Sequence, residues 1–269
     1  MSVQMSDRNS DTTARTALVT GASAGLGVEF ADQLAARGYH LVLVARRKEK
    51  LDEAAADLAE RHGVDVRTIS ADLADPDAPR ALFEATHGEG LHVDFLVNNA
   101  GSAGPHLLEE KDWAPQAAFL ELMMTSVTHL CHHYIPPMQA RGFGRVINVS
   151  SFAGRVPRPA GAHYGPSKAY LVALSEELAL TLKGTDVNVS ALCPGFTHTD
   201  FHASADMMDM KNAMPKFMWY DAATVVRDGI EAVERGKPIR ISGRLYRWLD
   251  PFTQSVLFRP LIKAFAPGR

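Results

Sequence analysis

The sequence predicts a doubly wound α/β domain, in which a seven-stranded parallel sheet carries helices on both faces. Short runs of β-branched residues alternate with alanine-rich stretches of helical pattern, which is typical of βαβ units. The length of 269 residues and the apolar fraction of 46% suit one large globular domain. The first predicted strand also runs directly into a glycine-rich turn, as the first strand of many doubly wound domains does.

The predicted elements alternate along the chain without an internal repeat, low-complexity tract or linker. The predicted strands lie at residues 16–20, 41–45, 64–70, 95–98, 145–150, 187–193 and 238–241. The predicted helices lie at residues 26–37, 48–61, 79–86, 115–141, 164–182 and 221–235. Right-handed crossovers place the ligand cleft at the carboxyl ends of the strands. We therefore expect one domain over residues 14–243, with a lid segment at 200–220 and a C-terminal extension at 244–269.

Charge and composition argue against several classes of protein. The formal net charge is −3, and nothing in it suggests a nucleic-acid partner. Cys131 and Cys193 lie far apart without a Cys-x-x-Cys motif, which argues against a disulfide framework or a zinc ribbon. No apolar run reaches the length of about 18 residues that a spanning helix needs. Residues 1–13 are polar and predict a disordered lead instead of a signal peptide, so a cytoplasmic location is expected.

The turn after the first predicted strand has the spacing Gly-x-x-x-Gly-x-Gly, formed by Gly21, Gly25 and Gly27. Without a Cβ, glycine lets the turn tighten and lets a helix N-terminus approach a pyrophosphate. Ser23 and Leu26 lie within the same turn and are candidate cofactor contacts. The turn predicts a dinucleotide site.

The end of the second predicted strand indicates which dinucleotide is bound. An NAD-preferring domain places an acid here to bond the ribose hydroxyls, but this chain has Ala45 followed by Arg46 and Arg47. A guanidinium can pair with a 2′-phosphate, and Ser23 on the facing turn could add a hydroxyl. The two arginines could also simply begin a solvated helix. The missing acid favours NADP(H).

Three further residues have the spacing of a catalytic group. Tyr164 and Lys168 are four residues apart, which places both side chains on one helical face, and Ser151 lies thirteen residues upstream of the tyrosine. The ammonium can favour the phenolate of a tyrosine whose ordinary pKa is about 10, and the serine can hydrogen-bond a reacting carbonyl or alcohol oxygen. With the glycine turn and the strand-end motifs, these residues resemble the classical short-chain dehydrogenase/reductase family over residues 14–243.

The resemblance implies roles for residues at the other strand ends. Asp72 and Leu73 follow the third strand, where the family bonds the adenine, and Asn98 opens the Asn-Asn-Ala-Gly motif that stabilises the sheet and lines the cofactor. The implied cofactor contacts at these later strand ends and on the catalytic helix are Asp72, Leu73, Asn99, Ala100, Gly101, Tyr164, Lys168, Pro194, Gly195, Thr197 and Thr199. Tyr164 would exchange a proton with the substrate oxygen, and Lys168 would also bond the nicotinamide ribose. A homodimer or homotetramer is implied as well.

One position departs from the family pattern. Met123 stands where the family has an asparagine whose backbone kinks the helix and holds a water near the lysine. A thioether is only a weak acceptor, so Thr125 or Ser126 could serve the proton relay instead. This departure leaves two functions open: a dehydrogenase/reductase, and a low-turnover dinucleotide-binding regulator that keeps the fold.

The remaining features concern the substrate and the surface. The histidine groups around His129 and His198 do not form a metal constellation; the first is expected on a subunit-facing helix and the second in a flap over the cofactor. Residues 201–220 hold five methionines and four aromatic residues, which favours a hydrophobic ketone or secondary alcohol. The basic, apolar extension from Gly243 could cover the pocket, bind another subunit or lie on an anionic membrane, and its prolines should divide it into short helices.

Overall fold

The computed structural model describes residues 14–156, 163–198, 215–258 and 260. The strands are β1 (Thr16–Thr20), β2 (His40–Ala45), β3 (Val66–Ser70), β4 (Val93–Asn98), β5 (Gly144–Val149), β6 (Val187–Cys193), β7 (Phe196–His198), β8 (Trp219–Asp221) and β9 (Ile239–Ile241). Seven of them form one parallel sheet in the order β3-β2-β1-β4-β5-β6-β9. The predicted doubly wound sheet is confirmed, and each of its seven predicted strands overlaps an observed one.

Seven of the described helices lie in the connections between these strands, and the eighth follows β9. They are α1 (Gly25–Ala35), α2 (Lys48–His62), α3 (Ala78–His87), α4 (Trp113–Leu120), α5 (Ser126–Arg141), α6 (Tyr164–Thr181), α7 (Ala222–Glu234) and α8 (Arg244–Gln254). The prediction of one helix over residues 115–141 is wrong, because a π-helical turn at Glu121–Thr125 separates α4 from α5. In this turn the Ser126 amide donates to the Glu121 carbonyl, five residues back.

Two apolar layers cover the two faces of the sheet. Successive residues of β1 point to opposite sides, so Ala17 and Val19 pack with α1, α2 and α7, whereas Leu18 packs with α3, α5 and α6. Phe30 and Leu82 are among the fully buried side chains of these layers. Since both faces are covered, the central strands β1, β2, β4, β5 and β6 are largely buried along their length.

A smaller parallel pair lies beyond the carboxyl end of β6. Strands β7 and β8 pair from Phe196↔Trp219 to His198↔Asp221. The ring of Phe196 stacks on Trp219 at 5.2 Å between centroids, and the ring of His198 stacks on Trp219 at 5.1 Å. This pair is not among the strands predicted from the sequence. Thr199 and residues 200–214 of the predicted lid lie outside the described residues, as do residues 1–13 and 261–269.

Helix α8 corrects the prediction that Pro251 divides the extension. The helix runs through Pro251 to Gln254. A proline lacks only its own N–H, so near a helix end it removes a single bond, here the one to the Arg247 carbonyl. Side chains on both sides of Pro251, Asp250 and Gln254, are bonded to Arg155 and fix this part of the helix. Among the described helices, none has the length and apolar character needed to cross a membrane.

Candidate active site

The glycine turn between β1 and α1 forms a tight cradle. Gly21 has a φ of +67°, which L side chains rarely adopt, and a Cβ on Gly27 would collide with the Gly21 carbonyl. The side-chain amide of Asn99, which follows β4, donates to the Thr20 carbonyl at 2.9 Å. The Thr20 hydroxyl accepts a hydrogen bond from the backbone amide of Ala100 at 3.0 Å. The turn is therefore braced by the neighbouring strand and leaves the N-terminus of α1 open to an anion.

A group of charged side chains surrounds this turn at the ends of β1, β2 and β3. Arg47 donates to the Ser23 hydroxyl at 3.3 Å, so it reaches the glycine turn. Arg46 lies 3.7 Å from the carboxylate of Asp72, and both side chains are exposed. Ala45 ends β2 and contributes no carboxylate. The structure thus brings the Arg47 guanidinium and the Ser23 hydroxyl to the edge of the cradle, and it pairs the Arg46 guanidinium with Asp72.

Ser151 and the Tyr164–Lys168 pair come from adjacent elements at the carboxyl end of β5. Ser151 follows the strand and accepts a hydrogen bond from the Ala153 amide at 3.1 Å, which leaves its own hydroxyl hydrogen to donate. Tyr164 begins α6, and the Lys168 ammonium lies 5.7 Å from the centroid of its ring. Ser150 is committed elsewhere, because its hydroxyl donates to the Lys168 carbonyl at 2.6 Å.

The Lys168 ammonium is buried, with a residue exposure of 5%. Its Nζ donates to the Val149 carbonyl at 2.7 Å. Burial disfavours the charged form and lowers the pKa of Lys168 to about 8. A proton on this nitrogen is therefore easier to release than that of an ordinary lysine.

Met123 lies in the π-helical turn and faces the same place. Its sulfur accepts the Ser102 amide at 3.4 Å. A Cβ built on Gly101 would lie 3.2 Å from this sulfur and 3.7 Å from the Lys168 ammonium. Thr125, by contrast, is exposed, and Ser126 donates to the Leu122 carbonyl of its own helix. The sulfur of Met123 thus lies against the backbone of Gly101 and Ser102.

The loop after β6 closes the site on its far side. The carbonyl of Pro194 accepts the Phe152 amide at 2.8 Å, which joins this loop to the Ser151 segment. The Thr197 hydroxyl is buried and donates to the Gly195 carbonyl. A Cβ on Gly195 would collide with the ring of Tyr246. Tyr246 was missed by the sequence analysis, because its only signal was membership of an apolar extension.

The predicted histidine groups lie away from this cleft or at its rim. His129 and His133 share α5, with their Nε2 atoms 3.0 Å apart, and His133 stacks on Phe83. Burial is the main cause that lowers the pKa of His133, and the neighbouring histidines lower it further. His198 belongs to β7, and His202 lies outside the described residues.

These features define a dinucleotide-binding oxidoreductase: an anion cradle, a tyrosine–lysine pair and a serine meet at one edge of a doubly wound sheet. The family model described as short chain dehydrogenase matches residues 15–209. The chain belongs to this family and has a dehydrogenase or reductase role.

Relatives and solved structures show the same likeness. The chain is 33% identical over 182 residues to the 7beta-hydroxysteroid dehydrogenase of Collinsella aerofaciens, and the match covers 68% of each chain. A short-chain dehydrogenase from Sphingobium yanoikuyae, solved in complex with NADPH, superposes with a TM-score of 0.77 at 28% identity, covering 95% of this chain and 98% of that chain. The bulky-bulky ketone specific alcohol dehydrogenase of Comamonas testosteroni superposes with a TM-score of 0.75 at 25% identity, covering 96% and 97%.

Proposed function

We propose that this protein interconverts a bulky hydrophobic ketone and its secondary alcohol with NADP(H). The observation that carries the proposal is the convergence of Ser151, Tyr164 and Lys168 at the strand ends that also hold the glycine cradle. The residues present fit a dinucleotide, since added side chains would fill the cradle at Gly21 and Gly27.

Each of the three residues has a distinct part in the reaction. A bound nicotinamide supplies the hydride for reduction, or accepts it in the reverse direction. Ser151 donates a hydrogen bond to the substrate oxygen and steadies the charge that develops there. Tyr164 gives this oxygen a proton during reduction and takes one during oxidation. Lys168 sits beside the phenol, and its lowered pKa of about 8 suits it to return a proton to Tyr164 near neutral pH.

The preference for NADP(H) rests on the charges around the cradle. Arg46 and Arg47 would offer two guanidiniums to a 2′-phosphate, and Ser23, bonded to Arg47, would add a hydroxyl. Ala45 offers no acceptor to the ribose hydroxyls of NAD. The NADPH complex of the Sphingobium yanoikuyae relative supports the same cofactor.

The substrate class rests on the apolar side chains that pack around the loop after β6. Phe196, Trp219 and Met218 pack beside Tyr246 and Phe152, and Phe217 is largely exposed next to them. Rings and thioethers favour a lipophilic substrate over a sugar or an organic acid. The hydroxysteroid dehydrogenase and bulky-ketone relatives point to substrates of the same size and polarity.

A spectrophotometric screen tests this proposal. NADPH oxidation is followed by its absorbance against a panel of bulky alicyclic, aromatic and steroid ketones, with small polar ketones as the contrasting set. We expect turnover with bulky ketones, faster than with NADH, and Tyr164→Phe should abolish it while leaving NADPH binding intact, because only the transferable proton is removed. Substantial activity in that variant would contradict the assigned proton donor.

Met123 gives one specific reason to keep the regulator as a second candidate. The proton relay beside Lys168 here has a thioether where an amide would hold a water. Tight binding of NADPH without oxidation of NADPH by any ketone of the panel would favour this second function.

A further inference from the structure

The segment that carries Ser151 is bonded to the C-terminal helix by a buried ion pair. Arg155 lies four residues after Ser151 and donates two hydrogen bonds to Asp250, at 2.8 Å and 2.7 Å. The two side chains are only 15% and 14% exposed. This two-pronged arrangement fixes the direction of both groups, as a single contact would not.

Two further contacts hold the same segment. The Gln254 side chain, one turn beyond Asp250, donates to the Arg155 carbonyl at 2.6 Å. On the other side, a Cβ on Gly154 would lie 2.6 Å from the backbone of Lys168, so the segment packs directly on the catalytic helix. The residues from Ser151 to Arg155 are therefore held between α6 and α8.

Helix α8 is in turn anchored to the loop after β6. The Tyr246 hydroxyl donates to the Met218 carbonyl at 3.0 Å and accepts the Phe196 amide at 3.3 Å. Its ring packs on Gly195 and lies 4.9 Å from the ring of Phe152. One short helix thus touches the Ser151 segment and the loop expected at the nicotinamide.

We propose that Arg155 and Asp250 are positioning residues, through which α8 holds Ser151 at the working distance from Tyr164 and the substrate oxygen. An ion pair this buried gains little net stability, because the desolvation of both charges offsets their attraction. Its main consequence is geometric: it fixes the segment that carries Ser151, whose hydroxyl must reach the substrate oxygen. The reaction that Ser151 serves rests on the proposed function, but the mechanical hold does not.

Asp250→Asn is the first test, because it keeps the shape of the side chain and removes its charge. Amide hydrogen exchange should become faster at Phe152 and Gly154, whose amides are bonded to Pro194 and Ser151. The kcat should fall between about tenfold and a hundredfold, as expected for a small misplacement of a catalytic group. NADPH affinity should be unchanged, since the glycine cradle is not touched.

Glu234→Gln is the matched control. It breaks the Arg145–Glu234 pair, which also joins distant parts of the chain but lies at the amino end of β5, away from the site. Exchange at Phe152 and kcat should not change in this variant. The charge-reversed pair Arg155→Asp with Asp250→Arg should recover part of the kcat that Asp250→Asn loses.

The outcomes separate the two proposals. If the wild type reduces no ketone, the proposed function is wrong, and exchange at Phe152 and Gly154 alone decides whether Asp250 holds the segment. Unchanged exchange in Asp250→Asn overturns the positioning role, as does a loss of kcat no greater than in Glu234→Gln. If Asp250→Asn does not fold, Arg155→Lys, which keeps the charge and loses the two-pronged bond, is judged by the same measurements.

Discussion

Replacing Lys168 by methionine should stabilise the protein while abolishing its turnover. The ammonium is buried, and its hydrogen-bond acceptor is the neutral carbonyl of Val149. Methionine has a similar volume and flexibility but carries no charge, so it relieves the desolvation. The same change removes the group that acts on Tyr164, so the expected effects on stability and on activity have opposite signs.

The size of the stability gain follows from the pKa of Lys168. Its fall from 10.5 to about 8 corresponds to roughly 3 kcal/mol of destabilisation, since one pH unit is worth about 1.4 kcal/mol. Loss of the hydrogen bond to the Val149 carbonyl cancels about 1–2 kcal/mol of that stabilisation. The variant should therefore be more stable by about 1–2 kcal/mol near neutral pH.

The stability difference between Lys168→Met and the wild type should depend on pH. Below about pH 8 the folded and the unfolded wild type both carry the proton, so the penalty is fully present. Between about 8 and 10.5 the folded state releases it first, and the wild type becomes more stable with rising pH relative to the variant. The advantage of Lys168→Met should therefore shrink across this window.

Urea unfolding of both proteins, across neutral to alkaline pH, measures this difference. Lys183→Met is the control, because Lys183 is exposed and its replacement should change the free energy of unfolding by no more than about 0.5 kcal/mol. A Lys168→Met variant that is no more stable than the wild type at neutral pH, or whose advantage does not vary with pH, would refute the argument.

Three other substitutions probe the rest of the site. Ser151→Ala should lower kcat severely with little effect on NADPH affinity, and an unchanged kcat would remove the serine from the oxygen site. Arg46→Asp should move the ratio of NADPH to NADH activity toward NADH, since a charged contact is worth about 1.5–3 kcal/mol; an unchanged ratio would leave Arg47 or Ser23, which are bonded to each other, to explain any preference. Met123→Asn should cost about 1–3 kcal/mol of stability without raising kcat, because the shorter side chain leaves part of a buried volume unfilled and the Ser102 amide can partner only its carbonyl oxygen; a faster variant of equal stability would restore the water relay as the limiting step.

The centre of the sheet could be predicted from the sequence because β1, β2, β4, β5 and β6 are largely buried along their length. Residues such as Leu18 and Val42 have no alternative environment, so apolar composition alone locates the strands. The π-helical turn at Glu121–Thr125 could not be read in the same way, because one added residue hardly disturbs a helical pattern of this length. Only the mismatch at Met123 marked the place.

Some residues of the candidate site have a local sequence pattern that predicts them, and others do not. The sequence indicates Gly21 and Gly27 because a tight turn after a strand requires glycine. It indicates Tyr164 and Lys168 because their four-residue spacing places them on one helical face. Arg155 and Asp250 are 95 positions apart, and neither has a local pattern that indicates the other. Tyr246 is similar, because its hydroxyl partners, Phe196 and Met218, belong to a short strand pair that the sequence analysis did not predict.

The acceptor of the Lys168 hydrogen bond explains why a buried cation is useful here. A carboxylate partner would favour the charged form, raise the pKa of the lysine and hold the ammonium away from Tyr164. A neutral carbonyl, that of Val149, orients the nitrogen without neutralising it, so the positive charge continues to act on the adjacent phenol. In the proposed mechanism, the destabilisation that Lys168→Met should relieve is thus the same electrostatic imbalance that equips Tyr164 to exchange its proton, so this substitution should remove both together.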